Sequence, residues 1–248
     1  MRLATNTPLD KLLNGGIESD AITNIYGPAG TGKTNVSLAA LISCCETKKA
    51  IYVDTEGSFS LERFEQLGGN ENHLKNVIFI EPTTWKEQHE KLLKLEKIMN
   101  GEVGLIVVDS IVALYRLELD ENNFHAINRQ LATQYSVLSR IARTHKIPVL
   151  VTNQVYNYRD GSEERIELTS RTISKYWSKA LIELQKTDRP NCRVAIVRKH
   201  RSLPEAKSVE FEITEGQRHD IQPAPDLVKK VPPQQNLWGN SGSGRRPS

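Results

Sequence analysis

Short runs of consecutive apolar residues alternate with stretches in which apolar residues return every three or four positions, almost from end to end of the chain. The runs predict strands over Ala21–Tyr26, Ala50–Asp54, Val77–Glu81, Leu105–Asp109, Pro148–Thr152, Ala180–Gln185, Arg193–Lys199 and Val209–Ile213. The longer period predicts helices over Thr34–Glu46, Leu61–Leu67, Trp85–Met99 and about Asn128–His145, between the first five strands. In the third of these, Trp85, Leu92, Leu95 and Met99 fall on one stripe with charges opposite. Strands apolar on both faces and separated by helices specify an α/β fold with a mainly parallel sheet flanked by helices. The last three strands follow one another without helices, so an antiparallel extension is expected at one sheet edge.

Composition sets the limits of this picture. At 248 residues, 38% hydrophobic and 25% charged, the chain can bury one large α/β core or two small domains. From Gln222 onward proline, glycine, serine and glutamine dominate, which predicts a folded core over 1–221 and a disordered tail over 222–248. Trp238 in that tail is either a docking anchor or incidental. No apolar run approaches the ~18 residues of a membrane span, and the first residues lack the apolar core of a signal peptide, so a cytoplasmic protein with no membrane partner is expected. Cys44, Cys45 and Cys192 read as core-filling thiols rather than a disulfide or metal site. A net charge of +3 is too small to argue for nucleic acid.

The candidate chemistry starts at Gly27–Thr34, GPAGTGKT, which has the form G-x-x-x-x-G-K-[ST] between a predicted strand and a predicted helix. Gly27, Pro28, Ala29, Gly30, Thr31 and Gly32 can turn backbone N–H groups around a polyphosphate at a helix N-terminus. Lys33 can reach the β- and γ-phosphates, and the Thr34 hydroxyl can ligate Mg²⁺. The cofactors expected are therefore ATP and Mg. Asp109, at the end of the apolar run LIVV, is the candidate acid for the Mg²⁺, directly or through water. Hydrolysis further needs a carboxylate that orients or deprotonates water. Glu56, in DTEG just past another strand end, is the candidate; a capping role for Asp54 and Glu56 on the helix after them is the lesser alternative.

GPAGTGKT, DTEG with Glu56, VVDS with Asp109 and VTNQV with Gln154 occur in an order and spacing that resemble RecA/RadA-type recombinase cores, from about Leu9 to Ile213. More narrowly, ALYRLELDE, VTNQVY, KYW and KHRSLPEA resemble the RadB branch, archaeal paralogues of the RadA recombinase. The resemblance implies a RecA-like P-loop NTPase core, DNA binding and recombinational repair. It implies weak ATP hydrolysis, no strong strand exchange, and accessory action with a RadA-type recombinase and junction-processing enzymes such as a Holliday-junction resolvase. It also implies that Gln154 senses the γ-phosphate and passes that state to the DNA-binding loop; an ordinary strand-end amide is the alternative. Lys199 and Arg201 resemble a K-x-R pair that acts on a neighbouring subunit's γ-phosphate, which suggests self-association through the ATP site, and LPEA resembles the ATP cap. A solvated basic turn is the competing reading.

The chain departs from the family in instructive ways. Only eight residues precede Leu9, where the recombinases carry a helical domain, and no Phe-x-x-Ala docking segment occurs, so long filaments are not expected. The two loops expected to face DNA, about 116–126 and 155–172, carry Arg116, Arg159, Arg165 and Arg171 diluted by acids. Such loops predict weak, salt-sensitive DNA binding. Tyr156 and Tyr158 either stack on bases or pack against the core. The sequence thus favours an accessory ATP- and DNA-binding protein. A nucleotide-gated interaction module with incidental hydrolysis is the main alternative, and a small-acceptor phosphotransferase a distant one.

Overall fold

Strand periodicity places the core on both faces of one sheet. The computed structural model describes residues 1–160, 163–168, 170–214 and 221–223, and the side chains of these except at 156–168, 171 and 221–223. A small antiparallel pair, β1 (Arg2–Leu3) and β2 (Ile17–Glu18), brackets α1 (Leu9–Leu12). The main unit then runs β3 (Ile22–Gly27), α2 (Lys33–Cys45), β4 (Lys49–Asp54), α3 (Leu61–Gln66), α4 (Glu71–Leu74), β5 (Val77–Ile80), α5 (Trp85–Ile98) and β6 (Val103–Asp109). It continues through α6 (Ala113–Glu118), α7 (Phe124–His145), β7 (Val149–Asp160), β8 (Glu163–Leu168), α8 (Arg171–Trp177), β9 (Ala180–Lys186), β10 (Cys192–His200), β11 (Ser208–Ile213) and β12 (Ile221–Pro223).

The sheet order is β12-β11-β10-β9-β3-β7-β6-β4-β5, with β8 paired to β7 beyond it. From β9 to β5 all pairings are parallel, as predicted. Within these strands alternate residues serve opposite faces. Ala50, Tyr52, Leu105 and Val107 pack with Leu38 and Leu41 of α2 on one side. Ile51, Val53, Ile106 and Val108 pack with Trp85, Leu92, Leu131 and Leu138 of α5 and α7 on the other. The apolar stripe of α5 holds, except that Met99 lies past the last helical residue while still packing against the core. The cysteines are free and buried, so they fill the core.

The expected antiparallel extension is present: β9, β10 and β11 pair antiparallel in chain order, and β9 also joins the parallel strands beside β3. Three other expectations change. The first expected DNA loop is partly helix: α6 covers 113–118, and α7 starts at Phe124 rather than 128. Its apolar residues explain this, since Leu114, Tyr115 and Ile127 are buried against the core. The second expected loop is a hairpin of β7 and β8, with Val155 opposite Leu168 and Tyr158 opposite Arg165. β12 carries Gln222 and Pro223 of the expected tail into the sheet beside β11. The remainder of that tail, with Trp238, lies outside the described residues.

Candidate nucleotide-binding site

Two late strands, β7 and β6, intercalate between β3 and β4, so the carboxyl ends of four parallel strands meet at one crevice. The register fixes who faces whom: Gly27 pairs with Gln154, and Asp54 with Asp109. After β3 the chain turns through GPAGTGKT, and Gly32 caps α2 with φ at 95°, a left-handed conformation that glycine adopts without strain. A Cβ at Gly27 would stand 2.2 Å from the Leu184 carbonyl oxygen, so the close packing of β3 against β9 requires glycine there. Thr31 ties the loop by donating its hydroxyl to the Pro28 carbonyl at 2.8 Å.

Lys33 curls over this loop, its Nζ donating to the carbonyls of Gly27 at 2.8 Å and Pro28 at 3.0 Å. Burial lowers its pKa, and the charges of Glu56 and Asp109 pull it partly back up. Asp109 is only 2% exposed. Tyr52 donates to its Oδ2 at 2.9 Å, Thr152 donates to Oδ1, and the Thr34 hydroxyl hydrogen-bonds to it as well. Burial raises the Asp109 pKa, with these hydrogen bonds opposing, and burial also pushes the Tyr52 phenol up. Among the described residues no group of three or more acidic, histidine or cysteine side chains could hold a metal. One hydroxyl beside one carboxylate fits an Mg²⁺ that phosphates and water would mainly hold, with Thr34 and Asp109 as the side chains that could contact it directly or through water.

The DTEG turn is held by Asp54, whose carboxylate accepts the backbone N–H groups of Glu56 (3.1 Å), Ser58 (3.1 Å) and Phe59 (2.9 Å). Ser60, not Asp54 or Glu56, caps α3. Glu56 is left to face the crevice, where Gln154 Nε2 donates to its Oε1 at 2.9 Å. Arg116, from α6, donates from Nη1 to Gln154 Oε1, also at 2.9 Å.

These groups enclose a cleft of about 390 Å³, lined by Ala29, Gly30, Gly32, Lys33, Thr34, Glu56, Asp109 and Gln154 together with Asn35, Arg193 and Ile213. The last three were not anticipated. Asn35 is one residue past the motif, whereas Arg193 and Ile213 come from β10 and β11, and Arg193 Nε donates to the Gly30 carbonyl at 3.0 Å. Nothing local in the sequence marks them; only the antiparallel edge brings them to the loop.

Lys199 and Arg201 lie elsewhere. Lys199 pairs with Leu181 and His200 with Ala180, at the end of the sheet away from Gly27. Lys199 Nζ donates to the carbonyls of Lys175 and Ser178, and Arg201 binds Glu18 at 2.7 Å and Asp20 at 2.9 Å. Neither reaches the cleft of its own chain. The backbone of Tyr156, Tyr158, Arg159 and Arg165 runs in the β7–β8 hairpin and that of Arg171 starts α8, while their side chains lie outside the described residues.

The Rad51 family model matches residues 1–221. The chain is 38% identical to the DNA repair and recombination protein RadB of Methanobrevibacter smithii, over 86% of this chain and 94% of that one. It is 42% identical to RadB of Methanococcus maripaludis, over 84% and 95%. The chain belongs to the RadB branch of the Rad51 family. A crystal structure of the RadB recombinase superposes with a TM-score of 0.73 at 38% identity, covering 86% of this chain and 96% of that one. The RecA-like fold and a part in DNA repair and recombination follow, and the Rad51-family core implies nucleotide and Mg²⁺ binding in general, with DNA binding and recombinase contacts. The relatives are methanogens, in keeping with an archaeal protein. No helix among the described residues is long and apolar enough to cross a membrane.

Proposed function

We propose that this RadB-branch protein binds Mg-ATP in the cleft and hydrolyses it slowly, as an accessory of recombination rather than a strand-exchange motor. The observation that carries the reading is the meeting of Lys33, Glu56, Asp109 and Gln154 around one glycine-rich loop. Lys33, freed from the loop carbonyls, neutralises the β- and γ-phosphates. Glu56 accepts a proton from the attacking water, and Gln154 offers N–H donors to the γ-phosphate. When bound, Mg²⁺ withdraws charge from the phosphate oxygens; Thr34 and Asp109 fix where it sits. On this reading residues 1–221 form the ATPase core, extended at the sheet edge by Gln222 and Pro223 of β12.

The partners proposed are DNA, held weakly in a salt-sensitive way, a RadA-type recombinase and a Holliday-junction resolvase. Self-association would bring Lys199 and Arg201 to a neighbour's cleft, which their place at the far end of the sheet favours. A second reading, a nucleotide-gated interaction module, draws support from the bond between Gln154 and Glu56, since an occupied sensor amide restrains the candidate base.

The test is paired. Lys33→Ala should lose ATP binding. Glu56→Gln should bind ATP within about twofold of wild type yet lose residual hydrolysis by about 10²-fold. Equal hydrolysis rates for wild type and Glu56→Gln would remove the catalytic assignment and leave the gating module.

A further inference from the structure

A glutamine amide has one accepting end and one donating end, so its neighbours decide which way it points. At Gln154 both neighbours agree. The Arg116 guanidinium holds Oε1 at 2.9 Å, and Glu56 Oε1 receives Nε2 at 2.9 Å. Three residues widely separated in sequence thus form one polar chain with a cation at one end and the candidate base at the other.

Arg116 is delivered by a firm support. On α6 the preceding residues Leu114 and Tyr115 are buried at 7% and 3% exposure. Tyr115 donates its hydroxyl to Asn128 Oδ1 at 2.9 Å and packs edge-on against Trp85 at 5.7 Å between centroids. These contacts fix the helix, while Arg116 stays exposed on the side toward the cleft. A planar guanidinium suits the task because it keeps its charge at any working pH and its N–H directions are rigid.

We propose that Arg116 is a positioning residue of the ATP site, holding the Gln154 carbonyl oxygen so that the amide presents its N–H donors to Glu56 and to the γ-phosphate. This assigns to the ATP site an arginine that the sequence pattern gave to DNA. The inference rests on the reading of Glu56 and Gln154 as groups that act on ATP. With Arg116 removed, the amide loses one of its two orienting partners and samples rotamers in which its donors face solvent. The loss falls on the chemical step, since Arg116 itself lies outside the lining of the cleft.

The experiment is a double-mutant cycle on the full chain, with hydrolysis measured at saturating Mg-ATP. Arg116→Ala should lower kcat about 3- to 10-fold with KM within about twofold of wild type, and Arg116→Lys should recover part of the loss. Gln154→Ala should lower kcat at least as far, and adding Arg116→Ala to it should lower kcat no further. Multiplying losses in the double variant, an unchanged kcat in Arg116→Ala, or a loss confined to KM would each overturn the proposal. If Glu56→Gln turns over ATP like wild type, the reading beneath it fails as well. If Glu56→Gln is inactive while Arg116→Ala matches wild type, the positioning role alone fails.

Discussion

Asp109 shows how function opposes stability at a single side chain. It is nearly sealed from water beneath three hydroxyls, and burial raises its pKa despite their hydrogen bonds. A raised carboxyl pKa means that the ionised form is worse accommodated folded than unfolded, and this penalty grows as pH rises through the folded value. Asp109→Asn should therefore match or exceed the wild-type melting temperature at neutral pH without nucleotide, with the advantage fading in acid as wild-type Asp109 protonates. The same variant should lose most of the stabilisation that Mg-ATP gives the wild type, and thermal melts with and without Mg-ATP check both halves. The phosphate loop, Glu56 and Asp109 were legible because each sits in a short contiguous motif at a strand end. Arg193, Ile213 and the Arg116–Gln154 bond were not, because only strand register and helix placement bring them in.

The elements reflect the same division between local and distant information. Parallel strands and the covering helices follow from uninterrupted apolar runs, and those read correctly. The β7–β8 hairpin was missed although the sequence has an Asp-Gly step at 160–161, a hairpin signal between strand-like flanks. α8 was missed because it is short, with only Ile173 and Trp177 packed, partly buried, against the apolar core, and the rest of its tie is polar. The Tyr135 hydroxyl, fully buried, accepts from Asn24 Nδ2 at 3.2 Å and lies 3.1 Å from Ser174 Oγ, which also accepts from Asn153 Nδ2. One network therefore pins α8 and α7 to β3 and β7. Tyr135→Phe removes its centre and leaves a buried donor on Asn24, so it should cost about 1–3 kcal/mol in urea unfolding. A cost near zero would mean that the network does not hold α8 in place.

At the level of the whole molecule, the sheet sets the nucleotide cleft and the Lys199–Arg201 pair at opposite ends. The nucleotide cleft opens at the carboxyl ends of β3, β4, β6 and β7, whereas Lys199 and Arg201 sit at the other end, beyond reach of their own cleft. This polarity is what a head-to-tail contact between copies would need, yet both cations already have partners within the chain. Breaking those bonds opposes assembly, and together with the acids in the two segments proposed to face DNA it argues for short or transient association. The most direct test of the account is ATP turnover and mass in solution, measured together with and without single-stranded DNA. Slow turnover, changed less than about tenfold by DNA, in a species of few subunits is the predicted result. Strong DNA-stimulated turnover accompanied by growth into long filaments would contradict it and mark the protein as a strand-exchange recombinase.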